Sequence, residues 1–145
     1  MSALTVPPQL VPVRFTVEEY LEREFAATGK HEFHDGEIVA MAGGTYRHSQ
    51  ICTNVLGELR NRLKRNPCQV TESNTRVATT SRRHYQYPDA VIVCGKPEFD
   101  PADKRGMTIL NPTAVIEVLS DGTEAYDRGR KFDRYREVAA LKEYV

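Results

Sequence analysis

The sequence predicts a mixed fold, α/β or α+β, in which helices flank a central mixed β-sheet. Three observations predict it: amphipathic helical segments, short apolar β-branched runs between them, and an ordinary composition with 40% apolar and 28% charged residues. A chain of 145 residues is long enough for one domain with a sizeable core. The composition excludes a disordered protein, and no apolar run approaches the length of a membrane span.

Three helices are predicted, each from a start signal followed by apolar residues at helical spacing. Thr16 and Glu19 form a capping box, and residues 121–124 form a second one. The predicted helices cover residues 17–27, from Thr45 to about 64, and from the second capping box to about 138.

Strands are predicted where apolar and β-branched residues concentrate. Asp35-Gly36 is the turn signal of a hairpin. Segments 87–94 and 114–119 are almost continuously apolar, which is typical of strands covered on both faces. The predicted strands are the 31–41 hairpin, 68–79, 87–94, 114–119 and 141–145, and the predicted loops are 82–84 and 95–112.

Two acidic residues lie in the two most apolar strands, Asp89 in the first and Glu117 in the second. A buried carboxylate costs several kcal/mol unless a cation, hydrogen-bond donors or a proton compensates it. If the strands pair with Asp89 opposite Glu117, the two carboxylates share one cation. Hard oxygen ligands favour Mg²⁺ or Mn²⁺. The alternative is a pair of structural carboxylates satisfied by donors.

The helix after Glu117 supplies a cation, Lys131, two turns from its start. Lys131 is placed to polarise a metal-bound phosphate or to lower the pKa of an attacking water. Asp127, one turn earlier, is placed to orient Lys131. The alternative is that Asp127 and Lys131 form a surface ion pair that contributes little to stability.

Two further side chains are candidates for the same site. His48 begins the long helix on its apolar face, where it would bond a phosphate or a metal-bound water, or else a backbone group of the core. Glu37 either joins the metal shell through water or is a surface acid of the hairpin.

The charge is unevenly distributed, although the net charge is zero. Residues 15–40 carry seven acids and two bases, whereas residues 47–83 carry eight bases and two acids. A basic middle segment favours contact with a phosphate backbone, and its alternative is a neutralised surface. The predicted nucleic-acid contacts are Arg62, Lys64, Arg65, Arg76, Arg82 and Arg83.

The chain has three cysteines, which are widely spaced: Cys52, Cys68 and Cys94. They predict free thiols in a reducing cytoplasm. Residues 1–12 do not resemble a signal peptide, which agrees with a cytoplasmic location.

A set of motifs in fixed order resembles a known family. The motifs are Pro88-Asp89, residues 117–120, residues 123–127, Lys131, Tyr135 and Glu143-Tyr144, with 35–38 and His48 upstream. Together they are similar to those of the Uma-type family of putative restriction endonucleases, which belongs to the PD-(D/E)XK nuclease superfamily. The resemblance covers residues from about 15 to the end. It implies a restriction-endonuclease-like core, with Asp89 and Glu117 as metal ligands.

The sequence departs from that pattern at two places. The superfamily lysine expected two residues after Glu117 is Leu119, and Lys131 matches the position where the family places its cation. The resemblance also implies a longer C-terminus, so we expect residues 1–14 to be a flexible lead-in and 15–145 a single domain with incomplete C-terminal strands. An exposed last strand predicts pairing with another chain, as in a homodimer.

Two functions are compatible with these features. The first is an Mg²⁺- or Mn²⁺-dependent endonuclease that hydrolyses phosphodiester bonds, with DNA as the expected partner. The second is a catalytically inactive module of the same fold that binds nucleic acid or a protein. The intact set Asp89, Glu117 and Lys131 favours the enzyme, and the zero net charge favours the module.

Overall fold

The computed structural model describes residues 13–119 and 124–145, without the side chains of 124–128. The helices it describes are α1 (Val17–Ala26), α2 (Tyr46–Leu63) and α3 (Glu124–Tyr135). The described strands are β1 (His31–His34), β2 (Glu37–Ala40), β3 (Cys68–Thr71), β4 (Arg76–Ala78), β5 (His84–Gln86), β6 (Ala90–Cys94), β7 (Thr108–Ile109), β8 (Ala114–Ile116) and β9 (Glu143–Tyr144). The capping box predicted at 121–124, and most of the predicted lead-in, fall outside the described residues.

The strands form two mixed sheets rather than one central sheet. The five-stranded sheet has the order β2-β1-β5-β4-β7, and the four-stranded sheet has the order β3-β6-β8-β9. Only the β4–β7 and β8–β9 pairs are parallel among the described strands. The predicted class, a mixed α and β fold with mixed sheets beside helices, is confirmed, and the division into two sheets is an addition to it.

The predicted strand 68–79 is two strands that lie in different sheets. A turn separates β3 from β4, where the Thr75 N–H donates to the Glu72 carbonyl at 3.1 Å and the Asn74 N–H donates to the Glu72 carboxylate at 3.1 Å. The chain therefore leaves the four-stranded sheet at this turn and enters the five-stranded sheet. Strand β7 lies in the 95–112 segment predicted as a loop, and β5 begins at His84, the last residue of the loop predicted over 82–84.

Strand β4 separates two apolar cores. Val77 belongs to the core that α3 and the four-stranded sheet share, and the adjacent Ala78 belongs to the core beneath α1. This arrangement follows from the alternation of side chains along a strand. The first core contains Val77, Val91, Val93, Ile109, Val115, Tyr135 and Val138, and the second contains Tyr20, Leu21, Phe33, Ala78 and Tyr85.

Local signals in the sequence are confirmed where the structure describes them. Thr16 and Glu19 form both hydrogen bonds of the capping box at the start of α1. Thr45 caps α2 by accepting a hydrogen bond from the His48 N–H at 3.1 Å. Asp35 and Gly36 both have positive φ, 49° and 92°, as a two-residue hairpin turn requires.

Helix α2 is less buried than its apolar stripe predicts. None of its residues, all of which are described, is buried, and Ile51 is 40% exposed. The helix contacts β3 at the border of the four-stranded sheet. No helix among the described residues is long and apolar enough to cross a membrane.

The prediction of three free thiols is wrong. Cys68 and Cys94 face each other across the β3–β6 pair and form a disulfide, whereas Cys52 is free. Spacing along the chain could not show this pairing, because it depends on the register between two strands 26 residues apart.

Candidate active site

Asp89 and Glu117 lie at the same end of the four-stranded sheet. Asp89 precedes β6 and Glu117 follows β8, and the observed register pairs Ala90 with Ile116. Extending this antiparallel register by one residue sets Asp89 opposite Glu117, where both side chains project from the same face. The Val118 N–H donates a 2.6 Å hydrogen bond to Asp89 Oδ2 and ties the two strand ends together.

Helix α3 reaches Glu117 with two side chains. Lys131 Nζ lies 3.3 Å from Oε2 of Glu117, and the Tyr135 hydroxyl donates to Oε1 at 2.9 Å. The two residues are four apart and therefore share a face of the helix. Tyr135 is fully buried, as its helical position predicts, but its bond to Glu117 has no sequence signal. Leu119, at the position of the superfamily lysine, is 37% exposed.

The environment of Glu117 disfavours a bare negative charge. Burial raises the pKa of Glu117 to about 7, against the opposing effects of the Lys131 ammonium and the Tyr135 hydroxyl, and the neighbouring Asp89 carboxylate adds to the rise. Only 6% of the Glu117 side chain is exposed. The carboxylates of Asp89 and of the buried Glu117 are adjacent, and their oxygens are hard donors. A divalent cation bound to both would neutralise their negative charge.

A third acid, Glu32, approaches this pair from β1. Its carboxylate accepts the Tyr87 N–H at 2.9 Å and lies 3.3 Å from Nε2 of His34. The charge of Glu32 contributes to the raised pKa of Glu117. Glu32 was not predicted as a site residue, although its position next to the buried Phe33 puts it on the face opposite the α1 core.

His48 lies beside Asp89 at the start of α2. Its Nε2 is 3.0 Å from the Val118 carbonyl oxygen and 3.6 Å from Asp89 Oδ2. The bond to a backbone carbonyl was one of the two expected alternatives for His48, and the proximity to Asp89 keeps the other open.

Cys52 follows His48 by one helical turn and was not predicted as a site residue. Its Sγ lies 3.7 Å from Nδ1 and 3.9 Å from Nε2 of His48. Burial raises the pKa of the Cys52 thiol to about 11, and the charges of Asp89 and Glu117 add to this effect. In the metal-free protein the thiol is therefore neutral at physiological pH.

A cleft of about 580 Å³ opens over this group. A Cβ on Gly44 would come within 2.8 Å of His48 Nδ1, so the close approach of loop and imidazole depends on glycine at this position. The residues that line the cleft include Lys30, Gly43, Gly44, His48, Cys52 and Asp89.

One of the two predicted members of the outer shell, Glu37, does not join this group. Glu37 is exposed in β2, where it pairs with His34 at the hairpin end. The side chain of Asp127 lies outside the described part of the chain.

Arg76 is not available to nucleic acid, so that prediction is wrong. The residue is 5% exposed, and its guanidinium donates to Thr108, Tyr87 and Asp103 at 2.9–3.0 Å. An arginine is buried only when such partners compensate it, and a sequence does not reveal the partners.

Arg82 and Arg83 are engaged by acids of the protein. Arg82 Nε lies 3.6 Å from Asp100, and Arg83 forms a bidentate pair with Asp35 at 2.7 and 2.8 Å and a further bond to Glu137. Arg83 is nevertheless about half exposed. These arginines are therefore largely neutralised.

The other predicted contacts lie at the distant end of α2. Arg62 is exposed and paired with Glu58, and Lys64 and Arg65 are exposed. Sixteen residues separate His48 from Lys64, which corresponds to about 24 Å along a helix. The basic end of α2 and the carboxylate pair are thus separate surfaces that an extended polymer could connect.

Known proteins resemble this chain in sequence and in fold. The model of the Uma2 family, described as "Putative restriction endonuclease", matches residues 17–145. Two proteins of Synechocystis sp. are similar: "Uncharacterized protein slr1290", 36% identical over 95% of this chain and 68% of its own length, and "Uncharacterized protein sll1609", 33% identical over 90% and 72%.

A solved structure shares the fold. The crystal structure of "a putative nuclease belonging to DUF820" from Anabaena variabilis superposes with a TM-score of 0.61 and 15% identity, covering 85% of this chain and 73% of that one. The family suggested by the ordered motifs is confirmed by the match over residues 17–145. The chain belongs to the Uma2 family.

Proposed function

We propose that this protein is a divalent-metal-dependent endonuclease that hydrolyses phosphodiester bonds of DNA. The observation that carries the proposal is the meeting of Asp89, Glu117 and Lys131 at one end of the four-stranded sheet. Membership of a nuclease family supports hydrolysis of a nucleic acid. The choice of DNA and of the metal goes beyond that membership.

The carboxylates of Asp89 and Glu117 would hold Mg²⁺ or Mn²⁺. Oxygen donors of this kind fit a hard cation, and two carboxylates leave room in its shell for water and a phosphate. Such a cation, when bound, supplies Lewis acidity that polarises the phosphodiester and acidifies a water. The hydrogen bonds from Val118 to Asp89 and from Tyr135 to Glu117 fix the carboxylates in place before the cation arrives.

Lys131 is proposed to bind the reacting phosphate. Its Nζ is held 3.3 Å from Glu117, next to the place where a substrate phosphate would contact the cation. An ammonium group fixed there stabilises the charge that develops on the non-bridging oxygens. The helical position of Lys131 thus replaces the lysine that the superfamily pattern expects at Leu119.

His48 and the basic end of α2 are proposed to place the DNA. His48 lies in the first turn of α2, where a ring nitrogen and the helix N-terminus both favour a phosphate. Lys64 and Arg65 are proposed to contact the backbone several nucleotides away. Arg62, Arg82 and Arg83 would first have to exchange their acidic partners for phosphates.

A non-catalytic module is the second candidate. The observation that favours it is the neutralisation of Arg82 and Arg83 by acids, which weakens the basic surface. In such a module Asp89 and Glu117 would serve the fold, and DNA or a protein would bind without being cut.

Cleavage of plasmid DNA separates the two candidates. The protein is incubated with supercoiled plasmid and Mg²⁺ or Mn²⁺, beside Asp89→Asn and Lys131→Ala. Asp133→Asn and Lys142→Ala, which change exposed residues elsewhere, are the matched controls. We expect metal-dependent nicking by the parent and by both controls only. Equal nicking by all five proteins would remove the assigned site, and DNA retardation without nicking by any of them would favour the module.

A homodimer and a cytoplasmic location complete the proposal. Strand β9 is an outer strand of the four-stranded sheet, where a second copy could pair. A single monomeric mass in light scattering would exclude that pairing. We infer the cytoplasmic location only from DNA as the proposed substrate. The Cys68–Cys94 disulfide does not support it, because disulfides are rare in a reducing cytoplasm.

A further inference from the structure

We propose that His48, Cys52 and Asp89 form a second kind of metal site, which binds a thiolate-preferring divalent cation such as Zn²⁺. The three side chains come from α2 and from the residue before β6. Their candidate ligand atoms all lie within 4.8 Å of one another. The site shares Asp89 with the proposed Mg²⁺ site but uses none of its other ligands.

The distances are close to those of a coordinated ion. Tetrahedral Zn²⁺ with ligands at about 2.0–2.3 Å separates neighbouring ligand atoms by roughly 3.3–3.6 Å. His48 Nε2 is 3.6 Å from Asp89 Oδ2 and 3.9 Å from Cys52 Sγ. Side-chain shifts of a few tenths of an ångström therefore complete this part of the geometry.

The donor set distinguishes this site from the carboxylate pair. A sulfur, an imidazole nitrogen and a carboxylate oxygen favour Zn²⁺ or Co²⁺, whereas Mg²⁺ takes oxygen ligands. Spacing by four residues places His48 and Cys52 on one face of α2. Three protein ligands leave a fourth position open toward the cleft, where water or a small anion can bind.

Binding requires a local exchange of protons. The Cys52 thiol loses its proton to solvent as the sulfur–metal bond forms. Nε2 of His48 must present a lone pair, so its hydrogen moves to Nδ1 and the bond to the Val118 carbonyl is given up. Asp89 Oδ2, which lies 3.6 Å from His48 Nε2, keeps the Val118 N–H bond and has its second lone pair for the ion.

Sharing of Asp89 makes the two sites mutually exclusive. A cation held by His48, Cys52 and Asp89 takes up the negative charge of the carboxylate that the Mn²⁺ site needs, so Zn²⁺ would displace Mn²⁺. This consequence rests on the proposed function, whereas binding of Zn²⁺ or Co²⁺ itself does not.

Co²⁺ is the probe for binding, because a thiolate ligand gives it a charge-transfer band in the near ultraviolet. The full chain is titrated without reductant, so that Cys68 and Cys94 stay bridged. We expect a band that saturates at one equivalent in the parent and in Ser49→Ala, a neighbour in the same cleft. The band should be absent from Cys52→Ala and from Cys52→Ser. A band that survives both substitutions, or none in the parent, would overturn the proposal.

Competition provides a second readout. Free Mn²⁺ is followed by its paramagnetic resonance signal while Zn²⁺ is added to the Mn²⁺-loaded protein. We expect release of Mn²⁺ at a Zn²⁺ concentration ~10-fold or more below that needed for Cys52→Ala. Equal release from both proteins would overturn the shared role of Asp89. A parent that shows the cobalt band but never binds Mn²⁺ would instead contradict the proposed nuclease site.

Discussion

The hydroxyl of Tyr135 donates a 2.9 Å hydrogen bond to Oε1 of Glu117, from the last residue of α3 to the residue after β8. One turn earlier on the same helix face, Lys131 lies 3.3 Å from the other carboxylate oxygen. Helix α3 therefore holds both oxygens of the buried acid. The orientation of this carboxylate toward Asp89 depends on the packing of α3 against the sheet.

Tyr135→Phe removes the donor to a buried carboxylate while keeping the ring in the core. We expect a loss of about 1.5–3 kcal/mol in the free energy of unfolding at neutral pH. DNA cleavage should fall as well, because Glu117 is less well fixed. Urea unfolding measures the first effect. Tyr46→Phe, at a residue that is 80% exposed, should change neither property, and equal effects of the two substitutions would contradict the assigned bond.

Glu117→Gln should stabilise the metal-free protein at neutral and higher pH. Burial raises the pKa of Glu117 to about 7 from the usual 4.5. The folded state therefore retains a proton that the unfolded state releases, and stability from this group is lost as pH rises from about 4.5 through 7. A difference of this size corresponds to roughly 3–4 kcal/mol above pH 7.

The stability curve of this variant gives the check. Chemical denaturation in the presence of a chelator, at several pH values between 4 and 8, should show a stability gain for Glu117→Gln that grows with pH. A gain that is constant or shrinks over this range would show that Glu117 titrates normally.

Arg76→Met should damage the fold rather than DNA binding. Removing one member of the buried Arg76–Asp103 pair leaves an uncompensated charge, which costs about 3–5 kcal/mol. Thermal unfolding should reveal this loss. The DNA affinity of the folded fraction, measured at low temperature, should stay unchanged. A large loss of affinity with normal stability would instead show that Arg76 contacts nucleic acid.

The same pair predicts an acid limit of stability. Against the opposing effect of burial, hydrogen bonds from Thr108, the Arg105 N–H and Arg76 hold the pKa of Asp103 below its usual range. A lowered pKa contributes stability above the usual value near 4, and this contribution is lost as pH falls through the folded-state pKa. Asp103→Asn should therefore flatten the fall in stability between pH 5 and about 3, as followed by circular dichroism.

Lys64→Ala and Arg65→Ala should weaken DNA binding without changing stability. Both side chains are exposed on the far end of α2. Removing one cation that binds a phosphate should lower the slope of log affinity against log salt by about 1. Fluorescence anisotropy over a salt series gives this slope. Lys142→Ala is the control, and an unchanged slope in both test variants would remove this surface from the proposed DNA interface.

Sequence signals that depend only on neighbouring residues predicted many of the helix starts, turns and strands of this protein. The capping box at Thr16, the Asp35-Gly36 turn and the start of α2 at Thr45 depend on neighbouring residues, and the structure has all three. Apolar runs likewise predicted β6 and β8, although the structure places Asp89 just before the first strand and Glu117 just after the second rather than within them. The register that pairs Ala90 with Ile116 meets the condition that the sequence left open for these two acids.

Features that depend on long-range partners were not predictable in this way. Arg76 looks like any surface arginine until Asp103 and Tyr87 surround it. The Cys68–Cys94 disulfide and the approach of Glu32 to Glu117 likewise depend on contacts between distant strands. Strand β5 was likewise not predicted, because His84, Tyr85 and Gln86 do not form an apolar run although all three are buried.

Diffraction from a crystal soaked in Mn²⁺ would show whether the two carboxylates hold a metal, because the anomalous signal locates the ion itself. We expect a peak between the Asp89 and Glu117 carboxylates, at about 2.0–2.3 Å from an oxygen of each, with the Lys131 ammonium adjacent. A peak elsewhere, or carboxylates that remain without one at saturating Mn²⁺, would contradict the proposed nuclease site.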